Sequence, residues 1–98
     1  MNLKTKVIEN LWNVINDRVE NPPEKSYVID ILNHRKGIDK ALEKVGEEAT
    51  EFILAVKNDD YERRVSEAAD LLFHIMLALR ASGVEMDDVL GELEARGK

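Results

Sequence analysis

Lys44-Val45-Gly46-Glu47-Glu48-Ala49-Thr50-Glu51, followed after a spacer of 15 residues by Glu67-Ala68-Ala69-Asp70, is the stretch that decides how this chain is read. Glu48 and Glu51 are spaced i, i+3, and so are Glu67 and Asp70. On a helix that spacing puts both members of a pair on neighbouring turns of one face. Like charges so placed repel by roughly 0.2–0.5 kcal/mol per pair. One such pair is ordinary on a solvated helix. Two pairs on consecutive helices joined by a short turn can face each other, and their four carboxylates then converge. A hard divalent cation, which takes oxygen ligands, suits such a cluster.

The sequence around the carboxylates supports two long helices. Ile38, Ala41, Leu42, Val45, Ala49, Phe52, Ile53 and Val56 recur with a 3.6-residue period, giving a helix from about 38 to 56. At ~100° per residue, Glu48 lies roughly 80° from the centre of this stripe, Glu51 roughly 140°, and Glu47 roughly opposite it. Glu48 and Glu51 therefore flank the packed surface, whereas Glu47 points away. Lys44 falls one turn before Glu48. Gly46 interrupts the helix at about 1 kcal/mol relative to alanine. Its reading is the close approach of another helix, or else room for a ligand. Asn58-Asp59-Asp60 makes a turn, and a helix from about Tyr61 to Ala81 ends at Gly83. Val65, Ala68, Ala69, Leu72, Met76 and Leu79 form its main stripe. Arg63, Glu67, Asp70 and His74 form a line on the other side. Leu71, Phe73, Ile75, Leu77 and Ala78 leave its second half apolar nearly all round, which calls for cover on several sides and points to a partner subunit.

Outside this hairpin, Leu3, Val7, Leu11, Val14, Ile15 and Val19 predict a helix from about 3 to 20, with Ile8 and Trp12 as a second ridge. Asn21-Pro22-Pro23 stops it. Ser26 is a candidate N-cap for a short helix over about 27–35, buried through Val28, Ile31 and Leu32, with Gly37 as its C′ residue. Val89, Leu90 and Leu93 mark a last helix over about 87–96, with Asp87 or Asp88 as cap. No strand-like alternation or repeat is present. The expected fold class is all-α: a single domain, 1–98, of four or five helices in a bundle, assembled as a dimer.

Composition bounds the function. With 98 residues, 44% of them hydrophobic, one small core is within reach. A net charge of −6 argues against nucleic acid as a partner. The absence of cysteine removes thiolate metal sites, cysteine nucleophiles and disulfides. The amino-terminal residues carry no signal-peptide core and the longest apolar run is too short to span a bilayer, so a soluble, cytoplasmic protein is expected with no membrane partner. There is no P-loop or dinucleotide-binding glycine motif, and no nucleophile–base pair. The enzymatic chemistry open to the carboxylates is metal-assisted attack by water. The competing reading is a structural network in which Lys44 and Arg63 pair with the acids of a non-enzymatic helical interaction module. His74 is read as a packing or supporting residue, Ser26 first as a cap and Tyr27 first as a packing residue.

At these residues the chain resembles a known group. Glu47-Glu48-x-x-Glu51, the 15-residue spacer and Glu67-x-x-Asp70 are similar to the signature of the MazG-like all-α NTP pyrophosphohydrolases. Ile15 to Arg18, Pro23-Glu24-Lys25-Ser26-Tyr27, the Lys44-x-Gly46 that precedes the glutamates, and Glu67 to His74 resemble, within that superfamily, the phosphoribosyl-ATP pyrophosphohydrolase family of histidine biosynthesis. The resemblance implies Mg²⁺-dependent hydrolysis of phosphoribosyl-ATP to phosphoribosyl-AMP and pyrophosphate, in the monofunctional form without a fused zinc cyclohydrolase. It implies Glu48, Glu51, Glu67 and Asp70 as Mg²⁺ ligands and catalytic centre, in a homodimer. Lys44 and Arg63 would neutralise phosphate charge, and Lys25, Ser26 and Tyr27 would meet the substrate from the loop. A house-cleaning (deoxy)nucleoside triphosphate pyrophosphohydrolase of the same superfamily is the alternative, since its metal site would look the same.

Overall fold

The computed structural model describes residues 3–97; Met1, Asn2 and Lys98, the side chain of Leu3 expected in the first stripe, and the side chain of Thr5 lie outside the described set. A 3₁₀ turn, Leu3–Lys6, leads into α1 (Val7–Glu20). There follow α2 (Tyr27–Leu32), α3 (Ile38–Lys57), α4 (Tyr61–Ser82) and α5 (Met86–Arg96). Among the described residues there is no strand, so the all-α expectation holds. None of the helices is long and apolar enough to cross a membrane.

Helix ends follow local chemistry. Ser26 caps α2, its hydroxyl accepting from the Ile29 amide. Asp60 does the same for α4, its Oδ1 accepting from the Arg63 amide at 3.1 Å. Gly83 stands in the left-handed region at φ 78°, and the Val84 amide bonds back to the Leu79 carbonyl at 3.0 Å, closing α4. Two expectations are corrected. Helix α2 stops at Leu32, with Asn33 as its C-cap, whereas Gly37 opens α3 as its N-cap at φ 64°, ψ −141°. The turn between them, in which the Gly37 amide bonds the His34 carbonyl, needs a residue that tolerates positive φ. Helix α5 begins one residue earlier than expected, with Glu85 as its N-cap; Asp87 and Asp88 sit inside the first turn, where they favour the helix dipole without capping it.

Helices α3 and α4 form an antiparallel hairpin across the Asn58–Asp60 turn, and the other elements gather at one end of it. The core joins Trp12 and Ile15 of α1, Val28 and Ile31 of α2, Ala41 of α3, Met76 and Leu77 of α4, and Met86 of α5. Ile8, Leu11, Phe73, Leu79 and Val89 pack around it. Arg80 Nε donates to Asn16 Oδ1 at 2.8 Å, tying α1 to the end of α4. The second half of α4 is thus covered in part by the chain's own elements, burying His74, Met76 and Leu77, while Leu71 and Ile75 stay half-buried outside the core cluster. The open apolar surface lies elsewhere. Leu42 (52% exposed) and Ile53 (58%) of α3, with Val65 (54%) and Leu72 (54%) of α4, belong to the stripes expected to be buried. Helix α3 packs inward through Ala41 and Ala55 instead. On α1 the inward ridge is Ile8, Trp12 and Ile15, while Val7 and Val14 face out. The radius of gyration is 14.6 Å, above the ~13 Å usual for 100 residues, because one end of the hairpin projects past the core.

Gly37 gives a direct test of the α2–α3 turn. Gly37→Ala must force a side chain into a backbone conformation that only glycine adopts readily, at a cost of about 1–3 kcal/mol. A fall in Tm of roughly 5–15 °C is expected by circular dichroism. Gly46→Ala, at an open helical position where an added Cβ meets nothing within 4 Å, should not lower Tm.

Candidate functional site

The hairpin brings three of the four expected carboxylates together. Glu48 of α3 and Glu67 and Asp70 of α4 each offer an oxygen, and these atoms lie within 4.8 Å of one another. The register follows from the short turn. Glu48 lies nine residues before the end of α3 and Asp70 nine residues after the start of α4, so they are level across an antiparallel pair. Glu48 and Glu67 are sheltered, with side chains 15% and 16% exposed. Asp70 is exposed.

Two cations stand at the rim, as expected. Lys44 Nζ lies 3.3 Å from Glu47 and 3.7 Å from Glu48. Arg63 Nη2 lies 3.5 Å from Glu51 and 3.6 Å from Glu67. All four separations exceed the ~2.7–2.9 Å of a strong charge-assisted hydrogen bond. Asp70 has no ion pair among the described residues. Lys44 and Arg63 each bridge two acids, as the network reading expects, but at these separations they only partly offset the trio. The trio, hard oxygen ligands from two helices with incomplete neutralisation, fits a divalent cation. Glu51 stands outside it, paired with Arg63, and Glu47 faces solvent as the helical wheel predicts.

Tyr27 and His74 complete the site's inner edge. His74 is buried, 6% exposed. Its Nε2 lies 2.7 Å from the Tyr27 hydroxyl and its Nδ1 2.7 Å from the Asp70 carbonyl. Tyr27 also stacks on Phe73, with centroids 6.2 Å apart. Burial pushes the Tyr27 phenol up; Lys44 works against this, and Glu48, Glu47 and Asp70 add to it. For Lys44, burial acts to lower the pKa, but the bond to Glu47 and the nearby Tyr27, Glu47 and Glu48 outweigh it and the net shift is upward. Lys44 is thus a fixed cation. Lys25 is exposed two residues before Tyr27, with no ion pair among the described residues, and Ser26 is committed to its cap. The supporting role read for His74 from sequence gains its partners here; the i, i+4 spacing from Asp70 is the signal that it reaches back to that turn.

Comparison with known proteins fits this geometry. The phosphoribosyl-ATP pyrophosphohydrolase family matches residues 8–97. The chain belongs to that family. A phosphoribosyl-ATP pyrophosphatase of Methanoculleus marisnigri is 63% identical over 92 residues, covering 94% of this chain and 95% of the relative. That of Methanosphaerula palustris is 61% identical over 92 residues, 94% and 93% of the two chains. That of Methanoregula boonei is 57% identical over 93 residues, 95% and 89%. The family resemblance seen in the carboxylate motif therefore extends along nearly the whole chain.

If the trio is a site and not a structural network, removing one charge relieves repulsion. Glu67→Gln and Asp70→Asn should leave the metal-free protein folded, with Tm unchanged or up to a few degrees higher, from roughly 0.2–0.5 kcal/mol per relieved pair. Thermal unfolding in EDTA reads this; a fall of more than about 5 °C would mark the acids as structural partners of Lys44 and Arg63.

Proposed function

We propose that the protein hydrolyses phosphoribosyl-ATP to phosphoribosyl-AMP and pyrophosphate, the second step of histidine biosynthesis, as a cytoplasmic Mg²⁺-dependent homodimer. The convergence of Glu48, Glu67 and Asp70, in a chain of this family, is the observation that carries the reading. Glu48, Glu67 and Asp70 would hold the cation, with Glu51 one turn from Glu48 as a further ligand once Arg63 releases it. Bound there, Mg²⁺ would supply charge neutralisation for the phosphates and acidify a water. The chain's own residues do the rest. Lys44 stays charged beside Glu48 and offers its ammonium to a phosphate oxygen. Arg63, more than half exposed, can turn from Glu51 and Glu67 to the departing pyrophosphate and stabilise the charge that grows there. Water adds across the α–β phosphoanhydride linkage and pyrophosphate leaves.

Discrimination between phosphoribosyl-ATP and plain triphosphates must come from groups that read the extra ribose phosphate. Lys25 supplies an uncommitted cation at the corner where Tyr27 enters the site. Ser26 contributes by shaping that corner through its cap; α2 has only six residues, too few for a strong dipole. The test is pyrophosphate release from a nucleotide panel with a Mg²⁺ titration. Phosphoribosyl-ATP should show kcat/KM at least about 100-fold above ATP and deoxynucleotides, the scale on which a site built around a substrate's polar group rejects its analogue. Glu48→Gln, Glu67→Gln and Asp70→Asn should each lower turnover by about 100-fold or more, and Glu47→Gln by far less. Lys25→Ala or Ser26→Ala should narrow the substrate gap more than it slows plain nucleotides. Equal turnover of a deoxynucleoside triphosphate would assign the chain to house-cleaning instead; no release from any nucleotide would leave the interaction module.

The dimer is supported by the open apolar face. On α3, Leu42, Gly46, Ala49, Ile53 and Val56 are spaced four, three, four and three; on α4, Val65, Ala69 and Leu72 are spaced four and three. Such a seam seats knobs of a facing helix, and two hairpins facing each other make a four-helix bundle with two sites related by symmetry. Gly46 lies in this seam with open space above it, room enough for an added Cβ. Sedimentation at micromolar concentration should give twice the 11.2 kDa chain mass. Ile53→Lys together with Leu72→Lys should shift it to monomer, and a folded, fully active monomer would overturn the dimer.

A further inference from the structure

The two hydrogen bonds of His74 define more than packing. A carbonyl oxygen can only accept, so the 2.7 Å contact between Nδ1 and the Asp70 carbonyl requires the proton on Nδ1. In the neutral ring Nε2 is then an acceptor, and the Tyr27 hydroxyl must donate to it at 2.7 Å. The partners therefore fix both the tautomer and the direction of the phenol hydrogen bond. The ring has no freedom to rearrange: it is 6% exposed and meets the edges of Tyr27 and Phe73 at 5.6 and 5.4 Å. The contact spans 47 residues of chain. It joins the first residue of α2 to the turn of α4 that carries Asp70.

Helix α2 needs such a tie. A helix of six residues is far below the ~12–15 at which isolated helices become marginal, so its entry angle is set by what it docks on. Val28 and Ile31 anchor it in the core. Its first residue, Tyr27, is nearly half exposed and stands toward the carboxylates, outside that anchor. The His74 bond is what holds it there.

Resting on the assignment of the carboxylate trio as the hydrolase centre, we propose that His74 is a positioning residue: from Nδ1 it grips the Asp70 turn, from Nε2 it grips the Tyr27 hydroxyl, and so it holds the Lys25-Ser26-Tyr27 corner over the substrate. It touches no reacting atom. Its effect is on how well the corner is placed before substrate arrives, so its loss falls mainly on KM.

The test has a solution arm and a kinetic arm. Long-range ¹H–¹⁵N correlation of the metal-free protein at about pH 8.5, above the usual imidazole range, should show His74 with its proton on Nδ1. His34 is an internal contrast, because its Nδ1 accepts from the Lys36 amide at 3.1 Å and its proton belongs on Nε2. In the kinetic arm, His74→Phe keeps a ring in the core but makes neither bond, and should raise KM for phosphoribosyl-ATP about tenfold, the scale of two modest hydrogen bonds lost together. His74→Gln, which can still accept from Tyr27, should recover part of that loss. Tyr27→Phe should raise KM similarly, and the Tyr27→Phe/His74→Phe double variant should be no worse than the poorer single variant within about twofold. Should His74→Phe fail to fold, Tyr27→Phe carries the kinetic arm alone, and an unchanged KM for phosphoribosyl-ATP in that variant overturns the proposal. A proton on Nε2 of His74, multiplicative losses in the double variant, or a fall in kcat at unchanged KM would overturn the proposal. A wild-type protein that releases no pyrophosphate overturns the hydrolase assignment instead, and the tautomer result distinguishes that failure from failure of the clamp.

Discussion

Three carboxylates held within 4.8 Å on two helices is the constraint to which the rest of the molecule answers. Left alone, such a group would splay, because like charges at this range repel and two of the three are sheltered from water. What prevents this is the rigidity of the hairpin. A turn of three residues fixes the register, the Asp60 cap fixes where α4 begins, and Ala41 and Ala55 let α3 lie close against α4. The core is built at one end of the hairpin, so the carboxylates stand beside the packed region and not within it. A site in the centre would have carried the full desolvation cost of ionised groups; a site at the free end would have lost its rigidity.

The helices were largely legible in the sequence because most of their stops are local: Pro22-Pro23, Asn58-Asp59-Asp60 and Gly83 interrupt periodic segments where the chain turns, while Gly37 marks the start of α3 and not the end of α2. Which side of a helix the chain itself covers was not legible. Periodicity marks an apolar face but does not say what lies against it. On α3 the large residues form the outward seam, and the inward contact is made by Ala41 and Ala55, whose small size gives close approach but little hydrophobic signal. On α4 the reverse happened. The half that is apolar all round carries the contacts to the core, through His74, Met76 and Leu77, and the half with the cleaner stripe is left open.

The carboxylate motif was legible as four acids, and three of them meet. The difference lies in Arg63. One turn before Glu67, it reaches across to Glu51 and holds that side chain at the rim, a contact that depends on the hairpin register and has no signature in spacing alone. The same holds for Tyr27 and His74. Tyr27 reads first as a packing residue and His74 as a packing or supporting one, and only the docking of α2 on α4 makes them partners.

The rim cations reconcile an acidic chain with a polyanionic substrate. A net charge of −6 opposes the approach of a triphosphate, and the trio concentrates that opposition at one place. Lys44 and Arg63 reduce it without cancelling it, at separations of 3.3–3.7 Å where neither is locked to one acid. In the proposed function that looseness matters more than the pairing. A divalent cation taken up by Glu48, Glu67 and Asp70 would take over one of the two acids that each cation now bridges, leaving Lys44 beside Glu47 and Arg63 beside Glu51, more weakly held at the edge of the site. Cation uptake would then offset two of the negative charges gathered at the site and loosen two phosphate-binding groups in the same event. A tighter ion-pair network would have stabilised the empty protein and, for that reason, resisted the exchange.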